Sequence, residues 1–164
     1  MANDGRNVYI ATRSIGDPEG GPAGYAIVHL DGDEVATTYR TAEDRGPIAL
    51  ITHPRRVILA TKPAHIVTGP AEGRARAWSK AKISSAQFRI DDGAWSDMKT
   101  TGDLTWSFPI PGDALSKGEH TLEVRLVDDQ KAEGTDRITF ACDLSGRYNA
   151  YPMVEPVVKE TKFC

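Results

Sequence analysis

Cysteine is scarce in this chain: Cys142 and Cys164 are the only two in 164 residues. Two thiols cannot build a disulfide framework or a four-ligand zinc site. Cys142 continues the alternation of Ile138 and Phe140 and is expected to be a small buried hydrophobe. Cys164 is expected to be free, with a Cys142–Cys164 bridge as the alternative. Long apolar runs are also missing; none approaches the roughly 18 residues of a membrane span. Met1 to Arg6 offers neither the basic start nor the apolar core of a signal peptide. Positive charge is not in excess. With 20 Lys and Arg against 23 Asp and Glu, the net charge of −3 supplies no field for nucleic acid or an anionic membrane. Finally, no window of 11 or more residues carries a helical apolar stripe, which leaves short strands divided by turns.

The clearest of these strands meet in one stretch. Ala86, Phe88 and Ile90 alternate with Gln87 and Arg89, the period of a half-buried strand. Asp92-Gly93 then predicts a hairpin turn, with a return strand that carries Trp95. Downstream, Leu122, Val124 and Leu126 alternate with Thr121, Glu123 and Arg125. The chain is therefore expected to be all-β, with a sandwich core at Ala86, Phe88, Ile90, Trp95, Leu122, Val124, Leu126, Ile138 and Phe140.

Ten prolines and fifteen glycines divide the rest. Residues 1–45 form a first unit, a meander of two or three strands at Val8–Ala11, Tyr25–Leu30 and Val35–Tyr39. Gly16–Pro22 reads as a loop and Asp31-Gly32-Asp33 as a turn. Ile27 lies on one face of this small sheet, Val28 and Leu30 on the other. A strand apolar on both sides is normally covered on both, so the unit is expected to lean on a partner or on a second copy of itself through its strands. Arg45-Gly46-Pro47 marks a boundary. Residues 46–143 hold about seven strands, the number of an immunoglobulin-like sandwich of the E-set or fibronectin III kind; Arg55–Ala60 and Ala64–Thr68 are read as strands among them. Residues 144–164, with Pro152 and Pro156 and no periodicity, read as an extended tail.

Candidate chemistry is sparse. His29, His53, His65 and His120 lack metal-ligand spacing and are expected to be structural or on the surface. Asp31/Asp33, Asp91-Asp92 and Asp128-Asp129 sit where turns select Asp and do not match a twelve-residue calcium loop. Trp95 and Trp106 are expected to be buried with their indole N–H satisfied. Trp78 shares the parity of Arg74 and Arg76 and is expected to face outward, as a candidate binding aromatic. No nucleophile elbow, phosphate-binding loop or dinucleotide fingerprint is present.

The series Arg74-Ala75-Arg76-Ala77-Trp78, Phe88 to Met98 with Asp92-Gly93-Ala94-Trp95, Trp106 and Gly118 to Arg125 resembles an immunoglobulin-like β-sandwich. It is the kind found at the C-terminal end of bacterial calcineurin-like metallophosphoesterases. Gly24 to Val35 is similar to the segment that leaves the catalytic domain of such proteins. The resemblance covers most of residues 6–143, and an Asp-Gly-x-Trp hairpin also occurs in other accessory sandwiches, including the dimerisation domain of molybdenum oxidoreductases. That family builds a two-metal site from Asp-x-His, Gly-Asp-x-x-Asp/Glu, Gly-Asn-His-Asp/Glu and Gly-His-x-His. Here Gly16-Asp17, Gly32-Asp33, Gly102-Asp103 and Gly112-Asp113 lack an acid at the required spacing, and the histidine motifs are missing. No catalytic, cofactor or metal residue carries over.

The expectation is thus a non-catalytic accessory module, with a phosphoesterase catalytic domain of the parent chain as its partner and no cofactor. The alternative is a module that binds carbohydrate or a surface polymer, which an exposed Trp78 coplanar with another ring would favour. An independent enzyme ranks third, for want of a convergent nucleophile, base or metal set. Nothing in the sequence points to a compartment.

Overall fold

The computed structural model describes residues 1–10, 23–102 and 104–149, together with the backbone of 153–154. It is an all-β chain built from antiparallel sheets. In one four-stranded sheet, β5 (Ile48–His53), β6 (Ala71–Trp78), β10 (Thr105–Ile110) and β9 (Lys99–Gly102) lie in that order. In the second, the order is β12 (Glu133–Cys142), β11 (Gly118–Asp128), β7 (Ile83–Ile90) and β8 (Ser96–Asp97). The two stack face to face around one core. Ala49, Ile51, Ala75, Ala77, Phe108 and Ile110 meet Ala86, Phe88, Leu122, Val124, Ile138 and Phe140. Small Ala75 and Ala77 on β6 keep the layers close, and Phe88 stacks on Phe108 with centroids 4.7 Å apart.

Alternation was a sound guide wherever a strand runs long. Leu122, Val124 and Phe140 are completely buried, and Cys142 joins them as a core hydrophobe with a free thiol; Cys164 lies outside the described residues. Trp95 departs from the expectation. β7 pairs with β8 so that Phe88 opposes Ser96 and Gln87 opposes Asp97, which sets Trp95 across from Arg89 on the outer face. The guanidinium groups of Arg89 and Arg125 lie 4.7 and 4.6 Å from its ring centroid, within the range where the ring quadrupole attracts a cation. Met98 takes the inward position instead, its N–H donating to the Ala86 carbonyl. The turn itself places its positive φ on Asp91 (50°) rather than Gly93, a conformation that Asp tolerates better than most residues. Trp106 is half-buried against the core.

Two segments read as strands are short 3₁₀ turns, at Val57–Leu59 and Pro63–His65. Pro63 opens the second with no N–H to give a ladder, and of Ala64–Thr68 only Val67 bridges to a strand, at Cys142. The N-terminal unit is also arranged differently. β3 (Gly24–Asp31) and β4 (Glu34–Thr41) form the expected hairpin, but β2 (Val8–Tyr9) pairs with β1 (Ala2–Asn3) and not with that hairpin. β1 also pairs with β13 (Met153–Val154), so the segment read as an extended tail contributes a short strand. Asn3 anchors this small sheet by donating its side-chain N–H to the buried Ile58 carbonyl at 2.8 Å. The Gly16–Pro22 loop, Ala11, Asp17 and Asp103 lie outside the described residues.

The junction at residues 44–47 is packed rather than loose. A methyl group on Gly46 would stand 2.3 Å from the Glu133 carbonyl oxygen, and one on Gly134 would stand 1.9 Å from that of Pro47. Gly134→Ala is therefore expected to lower stability by at least about 1 kcal/mol, the lower end of overpacking costs. A urea titration checks it; an unchanged midpoint would mean that the junction yields freely.

Candidate functional site

The hairpin β3–β4 stands out because it belongs to neither large sheet and is nonetheless fastened at both ends. Its tip is the two-residue turn Gly32-Asp33, flanked by the pair Asp31 and Glu34. Gly32 takes φ +56° in open space, the left-handed geometry that a tight hairpin needs at this position. The turn delivers two acids to the loop that follows β5. The Asp33 carboxylate receives Lys62 Nζ at 2.7 Å and His65 Nε2 at 2.9 Å. These hydrogen bonds hold its pKa down to about 2, Lys62 contributing most and His65 next. Beside it, Glu34 Oε1 accepts from His53 Nδ1 at 3.2 Å, the main reason the Glu34 pKa falls below the usual range.

Behind the tip the chemistry is fixed by donors. His65 Nδ1 faces the Thr61 N–H at 3.1 Å and Arg55 Nη1 at 3.2 Å. Two donors on one ring nitrogen require a lone pair there, so the proton sits on Nε2 and the imidazole is neutral. Burial, then the nearby Arg55 and Lys62 charges, depress its pKa against the pull of Asp33. Arg55 is itself buried, donates to the Leu59 carbonyl at 3.2 Å, and leaves its Nε unpaired.

At the root, Arg40 Nη1 and Nη2 donate to the carbonyls of Pro47 (3.2 Å) and Gly46 (3.1 Å). Those bonds belong to one face of the hairpin, where Tyr25 opposes Arg40, His29 opposes Ala36 and Asp31 opposes Glu34. The opposite face carries Ala26, Val28 and Leu30 across from Tyr39, Thr37 and Val35. On it Leu30 is 70% exposed, Val28 43% and Tyr39 37%. In the two-stranded sheet, β3 has β4 on one side and no strand on the other among the described residues.

The remaining candidates sort plainly. His120 is buried, with Nδ1 2.8 Å from Asp91 Oδ2 and Nε2 2.9 Å from the Ser116 carbonyl. Both partners accept, so both ring nitrogens carry protons. Burial opposes that charge, but the Asp91 and Ser116 hydrogen bonds outweigh it and raise the pKa. The turn acid Asp128 binds the backbone N–H groups of Gln130 and Ala132. Among the described residues no cluster of three His, Cys, Asp or Glu side chains is placed to hold a metal. Trp78 lies half-buried on the outward parity of β6, with Arg76 6.0 Å from its ring centroid, and no second ring stacks on it among the described residues. Sequence reasoning gave no sign of the Asp33, Lys62 and His65 group, because Asp33 and His65 are 32 residues apart and meet only through the fold.

His65 and His120 give pH dependences of opposite sign. The unfolded chain protonates either near pH 6.5. Folded His65 resists protonation, so it makes stability fall as pH drops below about 6.5. Folded His120 holds its proton more tightly, so its contribution is complete below about 6.5 and is lost as pH rises through its higher folded value. Urea midpoints between pH 5 and 8 are expected to lose part of their acid-side decline in His65→Gln and part of their alkaline-side decline in His120→Gln. The same slopes in both variants as in the parent would contradict these assignments.

No protein-family model matches the chain, and no curated protein matches it. Among solved structures it is similar to the X-ray structure of the endo-beta-1,4-mannanase from Thermotoga petrophila, with TM-score 0.49 and 16% identity over 63% of this chain. The chain spans 21% of that protein's length.

Proposed function

We propose that this chain is a non-catalytic accessory module whose sandwich presents the β3–β4 hairpin to a separate folded domain, the catalytic domain of a calcineurin-like metallophosphoesterase. The observation that carries the reading is the asymmetry of the hairpin. One face is fastened to the sandwich at tip and root, while the other leaves Val28, Leu30 and Tyr39 exposed around a buried Thr37, beside a strand edge that has no partner among the described residues. An apolar strand face next to an unpaired edge is the kind of surface that accepts another domain. The choice of partner rests on the sequence resemblance of Gly24 to Val35 and of the sandwich strands to that family.

We infer that the sandwich is of the immunoglobulin-like class, a reading its connectivity supports. Lettering β5, β6, β7, β8, β9, β10, β11 and β12 as A, B, C, C′, D, E, F and G makes one sheet A-B-E-D and the other G-F-C-C′. These are the sheet memberships of that fold with one added edge strand. Such folds host many functions, so the topology supports the architecture and not the activity.

The test is direct. A calcineurin-like catalytic domain from the same source is titrated into the purified chain by calorimetry. Binding that weakens at least about tenfold in Leu30→Asp, a loss of about 1.4 kcal/mol, supports the reading. No binding by the parent chain, or equal binding by Leu30→Asp, overturns it.

A further inference from the structure

A second feature lies on the other face of the hairpin, apart from Val28 and Leu30. A cleft of about 650 Å³ opens between the hairpin, the 44–48 junction, the end of β6 and the β11–β12 turn. Its volume falls within the roughly 300–1,000 Å³ of small-molecule sites. Tyr25 and Trp78, from two different sheets, both line it. Tyr25 is 48% exposed and Trp78 half-buried, and side chains of both line the cleft, Trp78 with Arg76 6.0 Å from its ring centroid. Around them stand Arg45, Lys80 and Gln130, exposed and with side chains unpartnered among the described residues, and Asp44, whose Oδ2 accepts the Thr41 N–H at 3.0 Å.

The polar groups decide the class of ligand. Arg40 at the back of the cleft has both terminal nitrogens on backbone carbonyls, so its fork is not available to a phosphate. Its Nε is buried without a hydrogen bond, 3.6 Å from Asp44 Oδ2. Arg40, Arg45 and Lys80 are nearly balanced by Asp44 and Asp128, which leaves no strong field for an anion. What remains is two ring surfaces among mixed donors and acceptors. A pyranose suits it: C–H faces cover the rings, and hydroxyls, each both donor and acceptor, serve carboxylate, amide and ammonium alike. We propose that this cleft binds a neutral saccharide, with Tyr25 and Trp78 as its stacking residues.

Calorimetry on the full chain with maltotriose, cellotriose and chitotriose, and with AMP and inorganic phosphate as comparators, tests the assignment. At least one neutral trisaccharide is expected to bind at millimolar concentration or below. Trp78→Ala and Tyr25→Ala are each expected to weaken it about fivefold or more, while Leu30→Asp leaves it unchanged. Tyr25→Ala, at an exposed position, keeps the test valid if Trp78→Ala fails to fold. Binding of AMP or phosphate in preference to every sugar, no binding by any trisaccharide, or saccharide binding indifferent to Tyr25→Ala would overturn the proposal. Loss of catalytic-domain binding in Leu30→Asp reports on the docking face alone, so the two readings can fail separately.

Discussion

Phe88→Ala is expected to lower the stability of this chain by about 3–5 kcal/mol, the usual loss when a buried ring is removed. Phe88 sits at the middle of the inter-sheet core, where its ring stacks on Phe108 at 4.7 Å with the planes 26° apart. The stack is shaped from the other sheet by Gly73. A methyl group there would lie 2.1 Å from the Phe108 ring, so the glycine is what lets that ring cover β6. Nothing nearby is free to collapse into the space, because the neighbours Ala86, Ala75 and Val124 are held in paired strands. Urea unfolding of parent and variant measures the difference; a change below about 1 kcal/mol would mean that the two sheets are not joined through this ring pair.

A second large loss is expected from Asp136→Ala, about 1–3 kcal/mol for stranding buried donors. Asp136 lies on β12 among inward-facing neighbours, yet its carboxylate is not an accident of the core. Oδ2 accepts the Ile51 N–H at 2.7 Å and Oδ1 the Arg137 N–H at 2.9 Å, with Arg56 Nη2 3.8 Å away. Ile51 belongs to β5, the edge strand of the other sheet, so this one side chain closes the seam where the sheets meet. Burial pushes the Asp136 pKa up, against those hydrogen bonds. A raised folded value means that the ionised carboxylate is less comfortable folded than unfolded. Its own contribution to stability therefore declines as pH rises from about 3.9 through the folded value. Asp136→Asn keeps one acceptor and is expected to recover part of the loss. Equal stability of Asp136→Ala and the parent would show that the seam does not depend on it.

Both residues show what the sequence could disclose. Phe88 was legible because a two-residue period over β7 and β11 has no other explanation than one buried face. Asp136 was half-legible: it shares the parity of Ile138, Phe140 and Cys142, and an acid on a core parity is a signal of a buried hydrogen-bonding task. Trp95 was misplaced since the register of a short hairpin is set by its turn, and the Asp91–Gly93 turn shifts the parity by one from the two-residue geometry assumed. The segments at Val57–Leu59 and Pro63–His65 are apolar enough for strands but pack as 3₁₀ turns, where their burial is supplied by tertiary neighbours that no local pattern encodes. The anchored hairpin was legible as a hairpin and not as an anchor. Its alternation and Asp31-Gly32-Asp33 turn are local, whereas Asp33 with Lys62 and His65, and Gly46 against Glu133, join distant parts of the chain. The cleft bounded by Tyr25 and Trp78 depends on the same long-range placement.

Hydrogen exchange tests the docking claim most directly, because open edges and unpaired strands exchange faster than ladder-buried ones. In the chain alone, at low concentration, the amides of β3 are expected to exchange much faster than those of 86–90 and 121–127. Addition of the calcineurin-like catalytic domain is then expected to slow exchange across Gly24–Asp31 while leaving β7 and β11 unchanged. Protection of β3 equal to that of β7 and β11 in a proven monomer, with no change on adding the domain, would contradict the account.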